Sequence, residues 1–476
     1  MTVGKNSAPL VVDFDQTLVR GDSLQESILF AVRKDWKNLF RALIFLTRGR
    51  IALKSFASSF AGEVVDKIPA NERVLVLIEE ARKSGRPVIL ATASHARVAE
   101  IAAARFGPFD EVISSSDAVN LKGHAKAIEL VNRYGDGGFD YVGDSLADRA
   151  IFERAKTALI VSPNADQEIT ELGNGERIRR RNHLPWRARV WFRAARPHQW
   201  VKNFLVFVPV LAAGTLNFDS TVALALAFVS LSAVASSLYI FNDLLDIWHD
   251  RSHPDKKKRP LASGDLSIAE GVAITAFGLL LGALLGVFLG ELFMSVLLGY
   301  AVLSISYSTF LKKLILVDAF VLAALYVIRL VAGSIVAQVP LSGWLLVFSM
   351  FVFLSLGLAK RYVEIDGSEE HGATSIRGRG YTYLDRSFVG IAGISLSVVS
   401  GALLALYVAD QTQVESQLVN VTLLWLVVPL WLFWVLRLWI LAERRQLHSD
   451  PILFAVRDKL SIVVGLAGVA LFAVRM

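Results

Sequence analysis

The chain has 476 residues and not one cysteine. That excludes disulfides, thiolate metal sites and cysteine nucleophiles. The opening residues, MTVGKNSAPLVVDFD, have neither a long apolar core nor a cleavage site, so no signal peptide is expected. Lys and Arg are missing from one set of loops: LNFDS (216–220), LGE (289–291), AQVPLSG (337–343) and VADQTQVESQLVN (408–420). The net charge of +7 therefore gathers in the remaining loops, beside apolar runs, where it reports topology and not nucleic-acid binding.

What is abundant is apolar sequence. Hydrophobic residues make up 54% of the chain, and the excess begins near residue 195. Nine apolar segments follow, at about 203–215, 220–242, 268–289, 291–309, 315–336, 343–360, 387–408, 418–437 and 459–475. Most are near the ~20 residues that cross a bilayer. The basic loops between them place the N-terminal part and the active sites in the cytoplasm. Nine spans would then put the C-terminus outside. The expected C-terminal architecture is an all-α bundle of nine transmembrane helices over 201–476, in the cell or inner membrane. A basic, Trp-rich juxtamembrane linker precedes it at 171–200.

Residues 1–170 read differently. Five short β-rich runs, LVVDF (10–14), PVILAT (87–92), EVISS (111–115), FDYVG (139–143) and ALIVS (158–162), alternate with helical patterns. This is the signature of an α/β domain with a parallel sheet. A greasy, Arg/Lys-studded insert at about 22–70 reads as a small helical cap packed on its own sheet, with a lipid surface as the other place for its apolar face.

Two acidic clusters carry the chemistry. The first is Asp13-Phe-Asp15-Gln-Thr17, at the end of the first apolar run. Asp13 can attack phosphorus, and Asp15 can protonate the leaving oxygen and then activate water. A phosphate also needs hydroxyls, a lysine and Mg²⁺ held by further carboxylates. Thr92 and Ser94, Lys126, and the pair Asp144 and Asp148 follow in that order, with Lys122 a rival for the lysine. This set resembles the haloacid-dehalogenase-like phosphatases. The resemblance implies a Rossmannoid fold with Asp13 as nucleophile, Asp15 as acid/base, and Thr17, Thr92, Ser94 and Lys126 around the phosphate. It assigns Asp13, Asp15, Asp144 and Asp148 to the Mg²⁺ site. Gln16 stands where that family more often has glycine.

The second cluster is Asn242-Asp243-Leu-Leu-Asp246-Ile-Trp-His-Asp250. The carboxylates are spaced i, i+3 and i+7, one face of a helix. Three acids at the end of a membrane helix repel one another unless a divalent cation and its phosphate ligand join them. The cations Lys256, Lys258 and Arg259 follow within the loop. This motif, the KxRPxASG loop and the spans resemble the UbiA-type membrane prenyltransferase superfamily. Members that prenylate aromatic rings usually carry a second Asp-rich motif after the sixth span, whereas Lys360-Arg361-Tyr362-Val-Glu364 stands there. Together with Lys202-Asn203, that departure resembles the decaprenyl-phosphate phosphoribosyltransferase branch. The resemblance implies Mg²⁺, phosphoribosyl pyrophosphate and a polyprenyl phosphate as partners, with Asp243, Asp246 and Asp250 on the metal–diphosphate and Asn242 in support. Lys202, Asn203, Lys256, Lys258, Arg259, Tyr307, Lys312, Arg329, Lys360, Arg361, Tyr362 and Glu364 become candidates for substrate contact. Arg329, inside a span, has Asp318 or a helix-end carbonyl as a structural partner. The product would be a phosphoribosyl lipid whose 5-phosphate the N-terminal domain removes. Prenylation of an aromatic acceptor, or a membrane anchor or transporter with a regulatory domain, are the competing readings. A homo-oligomer is compatible with the sequence.

Overall fold

The computed structural model describes residues 8–144, 146–161, 169–172, 184–369, 379–414, 419–447 and 450–473. The chain divides into two compact units. The first comprises Met1–Ala195 and Ile240–Ile274, and the second Arg196–Tyr239 and Thr275–Met476. The Asp-rich segment of the membrane part thus packs with the N-terminal unit.

In the first unit all five expected runs are strands: β1 (Leu10–Val12), β2 (Val88–His95), β3 (Glu111–Ser115), β4 (Asp140–Gly143) and β5 (Thr157–Val161). A sixth, β6 (Ile169–Leu172), adds antiparallel to β5, and the sheet order is β3-β2-β1-β4-β5-β6. Segment ITEL has no apolar run to announce it. Successive residues of a strand face opposite sides. Leu10, Val12, Val88 and Leu90 therefore enter one core cluster, and Val11, Ile89, Ala91 and Tyr141 the other. The strand order reverses between β1 and β4, which opens a crevice at the carboxyl ends of these strands.

The insert forms α1 (Ser23–Lys34), α2 (Lys37–Thr47) and α3 (Arg50–Ser58). Asp22 starts α1 by accepting from the amides of Leu24 and Gln25, both at 3.0 Å. Gly49, with φ +110°, turns the chain between α2 and α3.

The segment Ile240–Ile274 completes this unit. Ile240, Leu244, Ile247, Leu261 and Leu266 bury against Val190 and Ala194. Arg20 bonds Asp265 at 2.7 Å, and Arg251 grips both carboxylate oxygens of Glu26 at 3.0 and 2.5 Å. At Gly264, φ is +81° and a Cβ would lie 1.8 Å from the Arg20 carbonyl oxygen, so only glycine permits the approach.

Among the described residues of the chain, seven helices are long and apolar enough to cross a membrane: Phe218–Leu245, Ile268–Leu289, Glu291–Thr309, Val317–Ala337, Gly343–Gly367, Tyr383–Asp410 and Leu423–Glu443. The first and ninth expected segments differ. Residues 203–215 fall in a 3₁₀ stretch (Pro197–Phe207) and a short helix (Val208–Ala213). Pro209, which has no N–H to extend a helix backwards, sits where the two join. The ninth is the short helix Lys459–Ala473. Nine spans are therefore not confirmed.

Candidate functional sites

Asp13 leaves the end of β1 and its amide donates to Val142 O at 3.0 Å, fixing it in the crevice. Gly123, with φ +56°, starts the helix His124–Tyr134, and this turn brings Lys126 inward. The Lys126 ammonium lies 3.0 Å from Asp13 and 3.6 Å from Asp148, and donates to Tyr141 Oη at 2.6 Å. Lys122 is exposed, so the lysine role goes to Lys126. Burial works against the Lys126 charge, but Asp13 and Asp148 outweigh it and raise its pKa.

One oxygen from each of Asp13, Asp144 and Asp148 lies within 4.8 Å of the others. Burial, and then Asp13, push Asp148 up to about 6, and burial with the same neighbours raises Asp144 well above the carboxylate range. Asp148 Oδ2 is buried without a hydrogen-bond partner. Crowded carboxylates, one oxygen of which has no donor, fit a divalent cation, and oxygen-only ligation suits Mg²⁺.

Asp15, also expected at the metal, is not in this carboxylate group. It accepts from the Ser23 amide at 2.6 Å and from Ser94 Oγ at 2.5 Å. Burial first, and Asp22 second, push its pKa up to about 7, against the pull of Ser94 and Ser23. A carboxyl poised there can give and take a proton near neutrality. Thr92 closes the set by accepting from the Ser94 amide at 3.0 Å, and Thr17 Oγ1 is buried without a partner. Gln16 has φ +58°, the left-handed conformation that glycine adopts most easily. Ser23 and Tyr141 escaped the sequence reading. Ser23 opens a helix and Tyr141 lies within a strand, and neither position carries a local sign of pairing with residues 71 and 15 positions away.

The Asp-rich segment departs from a continuous helical face. The long helix ends at Leu245, Asp246 adopts φ −101° and ψ 9°, and helix resumes over Ile247–Arg251. Asp243 and Asp250 nevertheless converge, because Arg259 donates to both, at 3.0 and 2.6 Å. Burial raises the Asp250 pKa, and Arg259 offsets part of that rise. A guanidinium bridges these two carboxylates, a position that would also suit a divalent cation, but among the described residues Asp246 does not join them in a group of three carboxylates as the expected metal set requires. Asn242 and Asp246 flank this pair in half-buried positions, and Lys256 and Lys258 lie in a 3₁₀ turn, with Lys258 exposed.

Two polar networks lie inside the second unit. In one, Lys202 bonds Asp450 at 2.6 Å, Asn203 donates to Ser232 at 2.9 Å, and Arg329 donates to Asn203 at 2.7 Å and Tyr300 at 3.2 Å. Neither partner expected for Arg329 is the one found: it also donates to the mid-helix carbonyl of Leu325, and Asp318 belongs to the other network. There Arg361 is fully buried, 2.5 Å from Asp318, and bonds Glu364 and Tyr307. Arg379 joins at 3.0 Å from Glu364. Tyr362 turns away to Glu443. Lys360 is half-buried on the same helix, and Lys312 lies in the turn Leu311–Lys313. Asp450, which sequence reading missed, caps the helix Pro451–Arg457. Burial raises its pKa, but Lys202 and Lys360 win and hold the carboxyl below its usual range.

Comparison with known proteins finds two families along the chain, the second of which runs through Ile240–Ile274. Residues 10–153 match the haloacid dehalogenase-like hydrolase model, and residues 203–379 match the UbiA prenyltransferase family model. Uncharacterized protein y4nM of Sinorhizobium fredii is 33% identical over 484 residues, covering 98% of this chain and 91% of that protein. Decaprenyl-phosphate phosphoribosyltransferase of Mycobacterium tuberculosis is 36% identical over 203 residues, 40% of this chain and 66% of that enzyme. The solved structure of a UbiA homolog from Archaeoglobus fulgidus bound to GPP and Mg²⁺ aligns with a TM-score of 0.46 at 16% identity, over 60% of this chain and 99% of that one.

Proposed function

Because the chain belongs to the UbiA prenyltransferase family and carries a haloacid dehalogenase-like domain at its N-terminal end, we propose that it moves phosphoribose from phosphoribosyl pyrophosphate onto a polyprenyl phosphate and then removes the 5-phosphate. The observation that carries the transferase half is Arg361 with Glu364 on the helix where a second metal-binding acidic motif would otherwise stand, with Arg361 also paired to Asp318 and Arg379 joining Glu364 from beyond the helix end. A helix that carries Lys360 and Arg361 in place of a second acidic metal site suits substrates that both bring phosphate.

In the transfer, an oxygen of the lipid phosphate attacks ribose C1 and the C1–diphosphate bond breaks. The nucleophile is already anionic, so no general base is needed. Asp243 and Asp250 would hold Mg²⁺, which neutralises the departing diphosphate. Asn242 and Asp246 support them. Lys256, Lys258 and Lys360 supply counter-charge to phosphates, Lys202 and Arg259 hold the carboxylates of Asp450 and of Asp243 and Asp250, and Arg329 keeps Asn203 oriented. Displacement in line inverts C1 and gives a β-linked product.

In the second reaction a carboxylate oxygen of Asp13 attacks phosphorus while Asp15 protonates the departing ribose oxygen. Asp15 then takes a proton from water, which attacks the phosphoaspartate and frees phosphate and Asp13. Asp13, Asp144 and Asp148 would hold the Mg²⁺ that offsets the phosphate charge, and Lys126 neutralises the nucleophilic side. Removing the phosphate makes the first step effectively irreversible. Both activities lie at the cytoplasmic face, as the loop charges indicate.

The test uses full-length protein, a polyprenyl phosphate, Mg²⁺ and ribose-labelled phosphoribosyl pyrophosphate. Label should enter the lipid, and Asp13→Asn should leave the lipid product one phosphate heavier. Absence of lipid label, with turnover of prenyl diphosphate and an aromatic acid instead, would overturn the transferase assignment. Equal product masses from both proteins would overturn the phosphatase assignment.

A further inference from the structure

The outer side of the cap is the least explained surface of the first unit. Asn38, Ala42, Leu53 and Ala57 turn inward from α2 and α3. Trp36, Leu39, Phe40, Leu43, Ile44 and Leu46 turn outward, each between 46% and 65% exposed. Six large apolar side chains crowded onto one helix and its leading residue exceed the scattered apolar exposure normal for a protein surface. The charge around them is mainly positive, with Asp35, which accepts from the Lys37 amide at 3.0 Å, the acid at its leading edge. From Trp36 to Gly62 the chain contains Lys37, Arg41, Arg48, Arg50 and Lys54, and no Asp or Glu. Among the described residues, Lys37, Arg41, Arg48 and Arg50 are exposed and none is paired with a carboxylate. Lys54, by contrast, points inward and donates to Ala93 O at 2.5 Å and Asn120 Oδ1 at 2.7 Å. Ala93 lies between Thr92 and Ser94, on the strand end that faces Asp15.

We infer that the α2–α3 hairpin is a membrane-docking element: its apolar face enters the headgroup layer of an anionic bilayer, its cations pair with lipid phosphates, and Lys54 ties this anchor to the phosphatase site. An apolar face framed by cations is the composition of interfacial helices. A second copy of the chain is a poor occupant, since a two-fold contact would press the same four exposed cations against each other. Docking would fix the phosphatase crevice at the lipid surface, where a phosphorylated lipid presents its headgroup. The inference adds to the phosphatase reading above, but it needs only that the domain works on a bilayer-borne phosphate.

The missing cysteines make the test direct. Leu43→Cys carries the only thiol of the full-length protein, and a labelled Glu79→Cys on the exposed side of another helix is the control. Each is labelled with an environment-sensitive fluorophore and placed in nanodiscs, one copy per disc. Discs of phosphatidylglycerol with spin-labelled lipid should quench the Leu43 label several-fold more than the Glu79 label, and pure phosphatidylcholine should reduce the difference. Equal quenching at both positions, or shielding of Leu43 that appears only as copies per disc increase, would overturn the inference. A Phe40→Glu/Leu43→Glu variant gives the functional arm. Its kcat/KM should fall at least ten-fold on a vesicle-borne phosphomonoester and stay unchanged on p-nitrophenyl phosphate; unchanged activity on the vesicle substrate would overturn docking as a requirement. Quenching does not depend on which lipid is cleaved. A docked cap in a protein that ignores phosphoribosyl lipid would thus sink the proposed substrate and leave the docking intact.

Discussion

Replacing Glu26 by glutamine removes one charge and little volume from the most buried link between α1 and the Asp-rich segment. The Arg251 and Glu26 side chains are 8% and 2% exposed, and the guanidinium meets both carboxylate oxygens. Glu26→Gln would leave that cation with one amide oxygen and the carbonyls of Ala262 and Lys67 at 3.2 and 3.3 Å, all neutral, and would turn an NH₂ donor toward the guanidinium. Stranding one partner of a buried pair costs about 3–5 kcal/mol. For a unit of this size each kcal/mol moves the unfolding midpoint by about 2–4 °C, so the midpoint should fall by roughly 6–20 °C. Tryptophan fluorescence of the full-length protein in detergent is a suitable probe, because Trp248 and Trp186 pack in this unit. Replacing both partners by apolar residues removes the stranded charge, so Glu26→Met/Arg251→Met should melt above either single variant. A shift under 2 °C for Glu26→Gln, or additive losses in the double variant, would refute the pair as a structural tie.

Further outcomes can be checked independently. Asp15→Asn should slow phosphate release from a sugar phosphate by about 10²–10⁴-fold. With p-nitrophenyl phosphate, whose leaving group needs no proton, a stoichiometric burst of phenolate should remain; no burst would deny Asp15 the role of acid. Asp243→Asn should cut transfer of labelled ribose to lipid at least 100-fold while hydrolysis of p-nitrophenyl phosphate persists. Gln16→Gly should raise the midpoint, since a left-handed non-glycine residue costs about 1–2 kcal/mol and glycine returns only about 0.5–1 kcal/mol of that in entropy; a lower midpoint would show that the Gln16 side chain contributes more than its backbone strain. Gly264→Ala should lower the midpoint strongly and make the Asp-rich segment sensitive to limited proteolysis, because its Cβ would meet the Arg20 carbonyl oxygen at 1.8 Å.

The strands, the helices of the insert, seven of the nine apolar spans and both acidic clusters were legible because each leaves a periodic or spacing signal in contiguous residues. Asp13, Lys126 and Asp148 were named by motif order, and the fold delivers their contact. What stayed hidden depends on partners far along the chain. Lys202 reads as a phosphate contact, yet it bonds Asp450, 248 residues away, whose own local sign is only a helix cap. Arg259 reads as a phosphate ligand, yet it sits between the carboxylates it was expected to accompany. The first apolar run was long enough to suggest a span, but Pro209 interrupts it, and hydropathy averages do not register a missing N–H.

The packing of Ile240–Ile274 has a bearing on how such a gene can change. Ile240, Leu244, Ile247, Leu261 and Leu266 cover Val190 and Ala194 of the N-terminal unit. An N-terminal domain cut loose near residue 200 would bare that apolar face and lose the partners of Arg20 and Glu26. Fission of the reading frame between the two halves of this chain would thus yield a sticky fragment before it yielded two independent proteins.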